Sequence, residues 1–183
     1  MARIGVLALQ GGFAAHAQVL YALGHDVVLI RDAAQIAEVD GLVFPGGEST
    51  TQLKLILRFG LRTALDAHHA SGKPVLATCA GLILLARQVS DPSQASLGWL
   101  DVQVRRNAWG RQVESFEAVS DEGTLPLVFI RAPRIVSVGG EVELLASYHG
   151  EPVLVRQGRV LGATFHPELT SAVVVHAQAF GQL

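Results

Sequence analysis

Cysteine is nearly absent from this sequence: Cys79 is the only one in 183 residues. An internal disulfide is therefore excluded, and a lone thiol fits a reducing compartment, the cytoplasm. An excess of one charge is missing too. With 14 Lys and Arg against 16 Asp and Glu, the formal net charge is -2 and the pI is near 6.4, which offers no basic footprint for nucleic acid. No apolar run approaches the ~20 residues of a membrane span. The longest, residues 74–86, is interrupted by Thr78, and the run at residues 4–9 stops at Gly11-Gly12, too soon for the core of a signal peptide. Internal repeats, low-complexity segments and composition breaks are lacking as well. Residues 1–183 are therefore expected to form one domain, long enough to bury a continuous core without staples.

What is present is an apolar half, rich in Val, Ile and Leu. In the first part of the chain, short apolar runs at residues 4–9, 27–30, 42–44 and 74–78 alternate with helical patterns at 13–23, 49–59, 61–70 and 80–86. Such alternation is expected of an α/β fold with three layers, a mostly parallel sheet covered on both faces. From residue 100 onward the runs shorten and are broken by Gly and Pro, at 102–105, 113–119, 127–130, 142–146, 153–155 and 160–165. These are expected to be antiparallel strands, with Gln157-Gly158 turning between the last two. Residues 91–96 read as a mobile polar connection. His68-His69 near a helix end reads as a solvated or dipole-complementing pair, because adjacent helical residues do not converge on a metal.

Cys79 falls where the strand at 74–78 (PVLAT) runs without a loop into the helix at 80–86 (AGLILLA). A residue at so abrupt a junction is held in a strained turn with its side chain projecting. The helix behind it aims free backbone N–H groups and its positive dipole end at the sulfur, the electrostatic setting of a nucleophile. Taken alone, a single cysteine is more often a small buried apolar residue than a nucleophile. Far downstream, His166 follows the apolar run at 160–165, with Glu168 two positions on. In an extended segment both side chains face the same way, so Glu168 can hold one ring nitrogen and leave the other for a thiol. Cys79, His166 and Glu168 together suggest a catalytic triad.

The strand at 42–44 ends in PGGESTT, residues 45–51. Ligands in a sheet of this kind bind beyond the carboxyl ends of the strands, where Gly46-Gly47 lets backbone approach closely. Ser49 or Thr50 is expected to cap the next helix. A thiolate attacking a carboxamide forms an oxyanion, for which the backbone N–H groups of Gly47 and Ala80 are the candidate donors, with the Gly47 loop as a switch. Arginines concentrate in VRRNAWGRQ (104–112) and in IRAPR (130–134). A solvated basic face is one reading; bidentate recognition of an amino-acid carboxylate and of a partner subunit is the other.

These motifs identify a resemblance. The chain resembles class I glutamine amidotransferases of the Cys-His-Glu kind, and within them the glutaminase subunits of pyridoxal 5'-phosphate synthase. The likeness runs through GVLALQG (5–11), PGGESTT, TCAGLILLA (78–86), VRRNAWGRQ with Ser115-Phe116-Glu117, FIRAP (129–133) and TFHPELT (164–170). It implies hydrolysis of L-glutamine to glutamate and ammonia, with Cys79 as nucleophile and His166 and Glu168 as its relay. It also implies glutamine contacts at Gly47, Glu48, Ser49, Arg106, Ile130 and Arg131, no metal and no cofactor. The implied partner is a TIM-barrel synthase subunit that uses the ammonia to build pyridoxal 5'-phosphate; the family's glutaminase is organised by that partner. Two departures stand out. The elbow commonly reads Gly-x-Cys-x-Gly, where this chain has Ala77, and many relatives carry Arg-Glu where it has Ala14-Ala15. Rival readings are a glutaminase serving a synthase of imidazole or purine rings, a catalytically silent docking subunit, and a cysteine hydrolase acting on other substrates.

Overall fold

The computed structural model describes residues 1–106 and 115–181. Residues 107–112 of the arginine-rich motif, with Trp109 and Arg111, and the expected strand start at Val113 lie outside the described residues. In chain order the first part comprises β1 (Arg3–Leu7), α1 (Phe13–Ala22), β2 (Asp26–Ile30), α2 (Ala33–Ala37), β3 (Gly41–Phe44), α3 (Ser49–Arg58), α4 (Arg62–Ala70), β4 (Val75–Thr78) and α5 (Ala80–Leu85). Then follow β5 (Ala86–Ser90), β6 (Leu100–Arg105), β7 (Ser115–Val119), β8 (Pro126–Ile130), β9 (Arg134–Val138), β10 (Glu143–Tyr148), β11 (Glu151–Gln157) and β12 (Val160–Ala163). A 3-10 turn, Pro167–Leu169, and α6 (Val174–Phe180) close the described chain.

The main sheet has seven strands in the order β10-β11-β12-β4-β3-β1-β2. Strands β2, β1, β3, β4 and β12 run parallel, and β11 and β10 are added antiparallel at one side. The expected three layers and mostly parallel sheet are thus present. Side-chain alternation divides the core cleanly. Ile4 and Val6 of β1, Val43 of β3 and Leu76 of β4 face α1, α6 and the β7-β8 hairpin; Leu42, Phe44, Val75 and Ala77 face α3, α4 and α5. Each large side chain buried this way contributes about 1.5–3 kcal/mol. A frame with this many of them easily offsets a locally strained residue costing about 1–3 kcal/mol.

Several sequence expectations need correction. The run at 160–165 is not simply antiparallel: β12 pairs antiparallel with β11 but parallel with β4, and β5 pairs parallel with β6. β12 joins the two regimes because the two-residue turn after Gln157, with Gly158 at φ 57°, reverses the chain into the sheet's parallel half. The helix expected through residue 86 stops at Leu85, and Ala86 opens β5. α2, β5, β9 and α6 have no counterpart among the expected elements. Residues 91–96 are fastened: Gln94 Oε1 accepts from Ser49 Oγ at 2.9 Å and Thr50 Oγ1 at 3.2 Å, and Ser96 Oγ donates to the Ala86 carbonyl at 2.6 Å. Strand β10 carries register shifts on either side of Ala146.

Candidate active site

Cys79 ends one element and starts another. Its N–H donates to the Ala163 carbonyl at 2.9 Å, prolonging the β4–β12 ladder, while its own carbonyl accepts the first α5 bond from Ile83 N–H at 3.2 Å. Serving both in one residue forces φ 47°, ψ -104°, a strained conformation that projects the thiol. Gly81 is required behind it, since a Cβ there would stand 2.1 Å from the Phe44 carbonyl oxygen. Ala77 causes no conflict: it is fully buried on the α5 face of β4 beside Phe44 and Leu82. Cys79 is itself only 6% exposed. It nevertheless opens on a cleft of about 310 Å³ rather than sitting in apolar packing.

His166 is pinned by its N–H to the Val128 carbonyl of β8 at 2.8 Å. Its Nδ1 lies 2.7 Å from Glu168 Oε1, and its ring lines the same cleft as Cys79, whose sulfur is near enough to act on its charge. The sequence expected this pairing from an extended segment. The structure instead turns the chain: Leu169 N–H reaches the His166 carbonyl at 3.2 Å, and the 3-10 turn begun by Pro167 brings Glu168 under the ring. Burial opposes a charge on His166, but its bonds to Cys79 and Glu168 and the negative charge of both outweigh it and raise its pKa to about 10. Burial likewise opposes the Glu168 carboxylate, yet the bond from His166 and the nearby imidazoles His16 and His166 hold its pKa below the ordinary value.

Each remaining expected residue also lines this cleft: Gly47, Glu48 and Ser49 on one wall, Ala80 behind the sulfur, and Arg106, Ile130 and Arg131 opposite. Among the first N–H groups of α5, Ala80 is the donor adjacent to the nucleophile. The cap of α3 differs from expectation. Glu48, not Ser49 or Thr50, is the cap, accepting from Thr50 N–H at 3.3 Å and Thr51 N–H at 2.7 Å. Its other partner is Arg106, 3.3 Å away across the cleft. Ser49 is turned toward Gln94 instead. The Ile130 carbonyl oxygen lies 3.8 Å from Cys79 Sγ, a long thiol hydrogen bond, and Arg131 follows it at φ 48°. Ala14 is exposed, and Ala15 lines the cleft.

Sequence reasoning missed the supports of this cleft. The Gly46 carbonyl accepts from Gly12 N–H at 2.9 Å, Gln10 Oε1 accepts from Glu48 N–H at 2.8 Å, and Gln52 Nε2 donates to the Gln10 and Pro45 carbonyls at 2.9 and 3.2 Å. These bonds fix the PGGE turn against the end of β1. Gly46 itself leaves the space for the imidazole: a Cβ there would stand 2.3 Å from His166 Cε1. Gly46→Ala is therefore expected to push the ring off the sulfur and lower turnover at least ~10²-fold. The fold should survive, as unchanged far-UV circular dichroism would show.

The described geometry is that of a thiol, an imidazole and a carboxylate in series at the carboxyl edge of a parallel sheet. A family model described as the SNO glutamine amidotransferase family matches residues 6–180. The chain belongs to this family. Similar SNO-family relatives include pyridoxal 5'-phosphate synthase subunit PdxT of Koribacter versatilis (strain Ellin345). It is 54% identical over 178 residues, covering 95% of this chain and 92% of the relative. The subunit of the same name from Pelotomaculum thermopropionicum is 50% identical over 179 residues, covering 95% and 91%. A crystal structure of a glutamine amidotransferase matches this SNO-family chain with a TM-score of 0.90 at 43% identity, covering 97% of each.

Proposed function

We propose that this chain is a glutaminase subunit of pyridoxal 5'-phosphate synthase, hydrolysing L-glutamine and handing the ammonia to a synthase subunit in the cytoplasm. The observation that carries this reading is the unbroken series Cys79, His166, Glu168 in a cleft whose walls hold both cations and a carboxylate. Arg106 and Arg131 suit the substrate α-carboxylate, Glu48 suits the α-ammonium, and the carboxamide then extends to the sulfur. The names of the relatives support the assignment to this synthase, and the resemblance implies a TIM-barrel partner.

The Cys79 thiolate adds to the carboxamide carbon, and the C–N π-conjugation is lost as the oxygen takes the negative charge. Backbone N–H groups of Ala80 and Gly47 meet that oxyanion. His166, protonated beside the sulfur, gives its proton to the departing nitrogen. The C–N bond breaks, and ammonia leaves a thioester. Water then adds to the thioester with His166 taking its proton, and collapse releases glutamate and returns the proton to the thiol–imidazole pair. Glu168 accepts from Nδ1–H throughout and keeps Nε2 toward the sulfur.

The deciding measurement is glutamate release from glutamine by the chain with and without the synthase subunit, expected to rise when the subunit is present. Stimulation by a different synthase, or no release in either case, would favour the rival readings. Arg106→Ala is expected to raise KM for glutamine about tenfold or more through the lost carboxylate contact. Alkylation of Cys79 by iodoacetamide should continue unchanged; parallel loss of both would mean misfolding instead.

A further inference from the structure

Behind the triad lies a second set of ionisable side chains that the mechanism does not use. His16 of α1 and His176 of α6 are both fully buried. His16 Nδ1 lies 2.8 Å from His176 Nε2, and His16 Nε2 lies 3.1 Å from Thr78 Oγ1. The same Nε2 stands 3.3 Å from Glu168 Oε2, within ion-pair distance though off the line of a hydrogen bond. Around His16 the titratable groups are thus Glu168 and His166 from the 3-10 segment and His176 from α6, with the Thr78 hydroxyl from β4.

The protons of this cluster can be placed. Burial, and the neighbouring imidazoles against the pull of Glu168, lower the pKa of His16 to about 4 and of His176 to about 3, so both rings are neutral near pH 7 and carry one proton each. If His16 Nε2 were bare, its lone pair would face an ionised carboxylate oxygen in a dry interior, so the proton sits on Nε2. Nδ1 is then an acceptor, and His176 must donate to it from Nε2. That leaves His176 Nδ1 bare. It is buried without a hydrogen-bond partner among the described residues, which an unused acceptor tolerates better than an unpaired N–H. One consistent arrangement results: His176 Nε2–H donates to His16 Nδ1, and His16 Nε2–H donates to Thr78 with its positive end beside Glu168 Oε2.

From this geometry we infer that His16 is a positioning residue of the triad. Held in one tautomer by His176, it gives Nε2–H to Thr78 and keeps that positive end 3.3 Å from Oε2 of Glu168, holding the carboxylate by charge so that Oε1 stays on His166. Helices α1 and α6 thereby set the orientation of an imidazole neither of them carries. The inference rests on the glutaminase reading only for its kinetic part.

The test compares two amides of similar polarity. His16→Gln can place an N–H where Nε2–H stands; His16→Asn can serve His176 but leaves Glu168 without that dipole. In complex with the synthase subunit, H16N is expected to lose about 10- to 100-fold in kcat with little change in KM, and H16Q to stay within about threefold. Iodoacetamide labelling, reporting on the only cysteine, should begin about one pH unit higher in H16N, because a misaligned His166 is a weaker partner for the thiolate. Equal losses in H16N and H16Q with an unshifted labelling onset, or parent-like behaviour of H16N, overturn the proposal. Should H16N fail to fold, His176→Leu keeps His16 but frees its tautomer; kcat and labelling onset like the parent's would overturn the proposal equally. If the parent itself turns over no glutamine, the function assignment fails, and the labelling onset alone still decides the role of His16.

Discussion

Cys79→Ala is expected to reduce glutamate release by roughly 10⁵- to 10⁶-fold, since removing the nucleophile of such a unit costs about as much as removing the unit. The residual rate is that of a bound carboxamide facing water with no covalent route. Two companion results separate this cause from damage to the cleft. Iodoacetamide incorporation, confined to the sole cysteine, should vanish. The His166 ring, raised to about 10 by Cys79 and Glu168 against its burial, should titrate at lower pH in the variant, where only Glu168 still favours the imidazolium; NMR of the ring resonances measures this directly. Retained stimulated turnover in C79A would remove the nucleophile assignment.

Glu168→Gln is the second large effect, expected at about 10³- to 10⁴-fold in kcat, with binding little altered. Each carboxylate oxygen faces an imidazole nitrogen, Oε1 that of His166 at 2.7 Å and Oε2 that of His16 at 3.3 Å. A carboxylate accepts on both sides, but an amide cannot. In one rotamer its NH₂ faces His166, which leaves Nδ1 bare and bars the doubly protonated ring that stands beside the sulfur in the parent. In the other rotamer it faces His16 Nε2–H, two donors together in a buried site. Neither rotamer restores the native arrangement, so the variant should be both slow and less stable; a thermal melt alongside the kcat measurement checks both halves. Turnover within tenfold of the parent would show that Glu168 does not set the His166 tautomer.

What could be read from the residues was what repeats along the chain. The parallel strands appear as continuous apolar runs because both faces of the sheet are covered, and Cys79 declares itself because an uninterrupted strand-to-helix step is rare. Elements that escaped notice are short or only half buried. α2 has just five residues. Its signal was present as a capping box, Asp32 accepting from Gln35 N–H while Gln35 accepts from Asp32 N–H, but so brief an apolar stripe gives no period to count. β9 shows only Ile135 well buried, so its alternation is too weak to register behind Pro133. β5 carries a bulge between Ala86 and Gln88 that breaks its period.

The site was legible where chemistry demands particular residue types, and illegible where support comes from tertiary contacts. Nothing in sequence separates His16 from a solvated helical histidine, yet it lies at the end of a contact reaching 160 positions to His176. Gly46 was noted for its backbone freedom, whereas its tightest constraint is the imidazole occupying the space of its missing side chain. The pairing of His166 with Glu168 was anticipated for a strand and is achieved by a 3-10 turn. Their spacing of two suits either geometry.

The irregular register of β10 bears on how the molecule behaves when crowded. As the outermost strand on its side of the large sheet, it exposes Leu144 at 56%, and a flat rim of that kind would invite a neighbouring chain to add a strand. The shifts around Ala146 interrupt its ladder, the Ser147 carbonyl is already taken by Asp121 N–H at 2.9 Å, and the Glu143–Arg156 ion pair at the start adds charge that an incoming backbone would have to desolvate. Protein concentrated for assembly is thereby guarded against fibrillar growth from this rim.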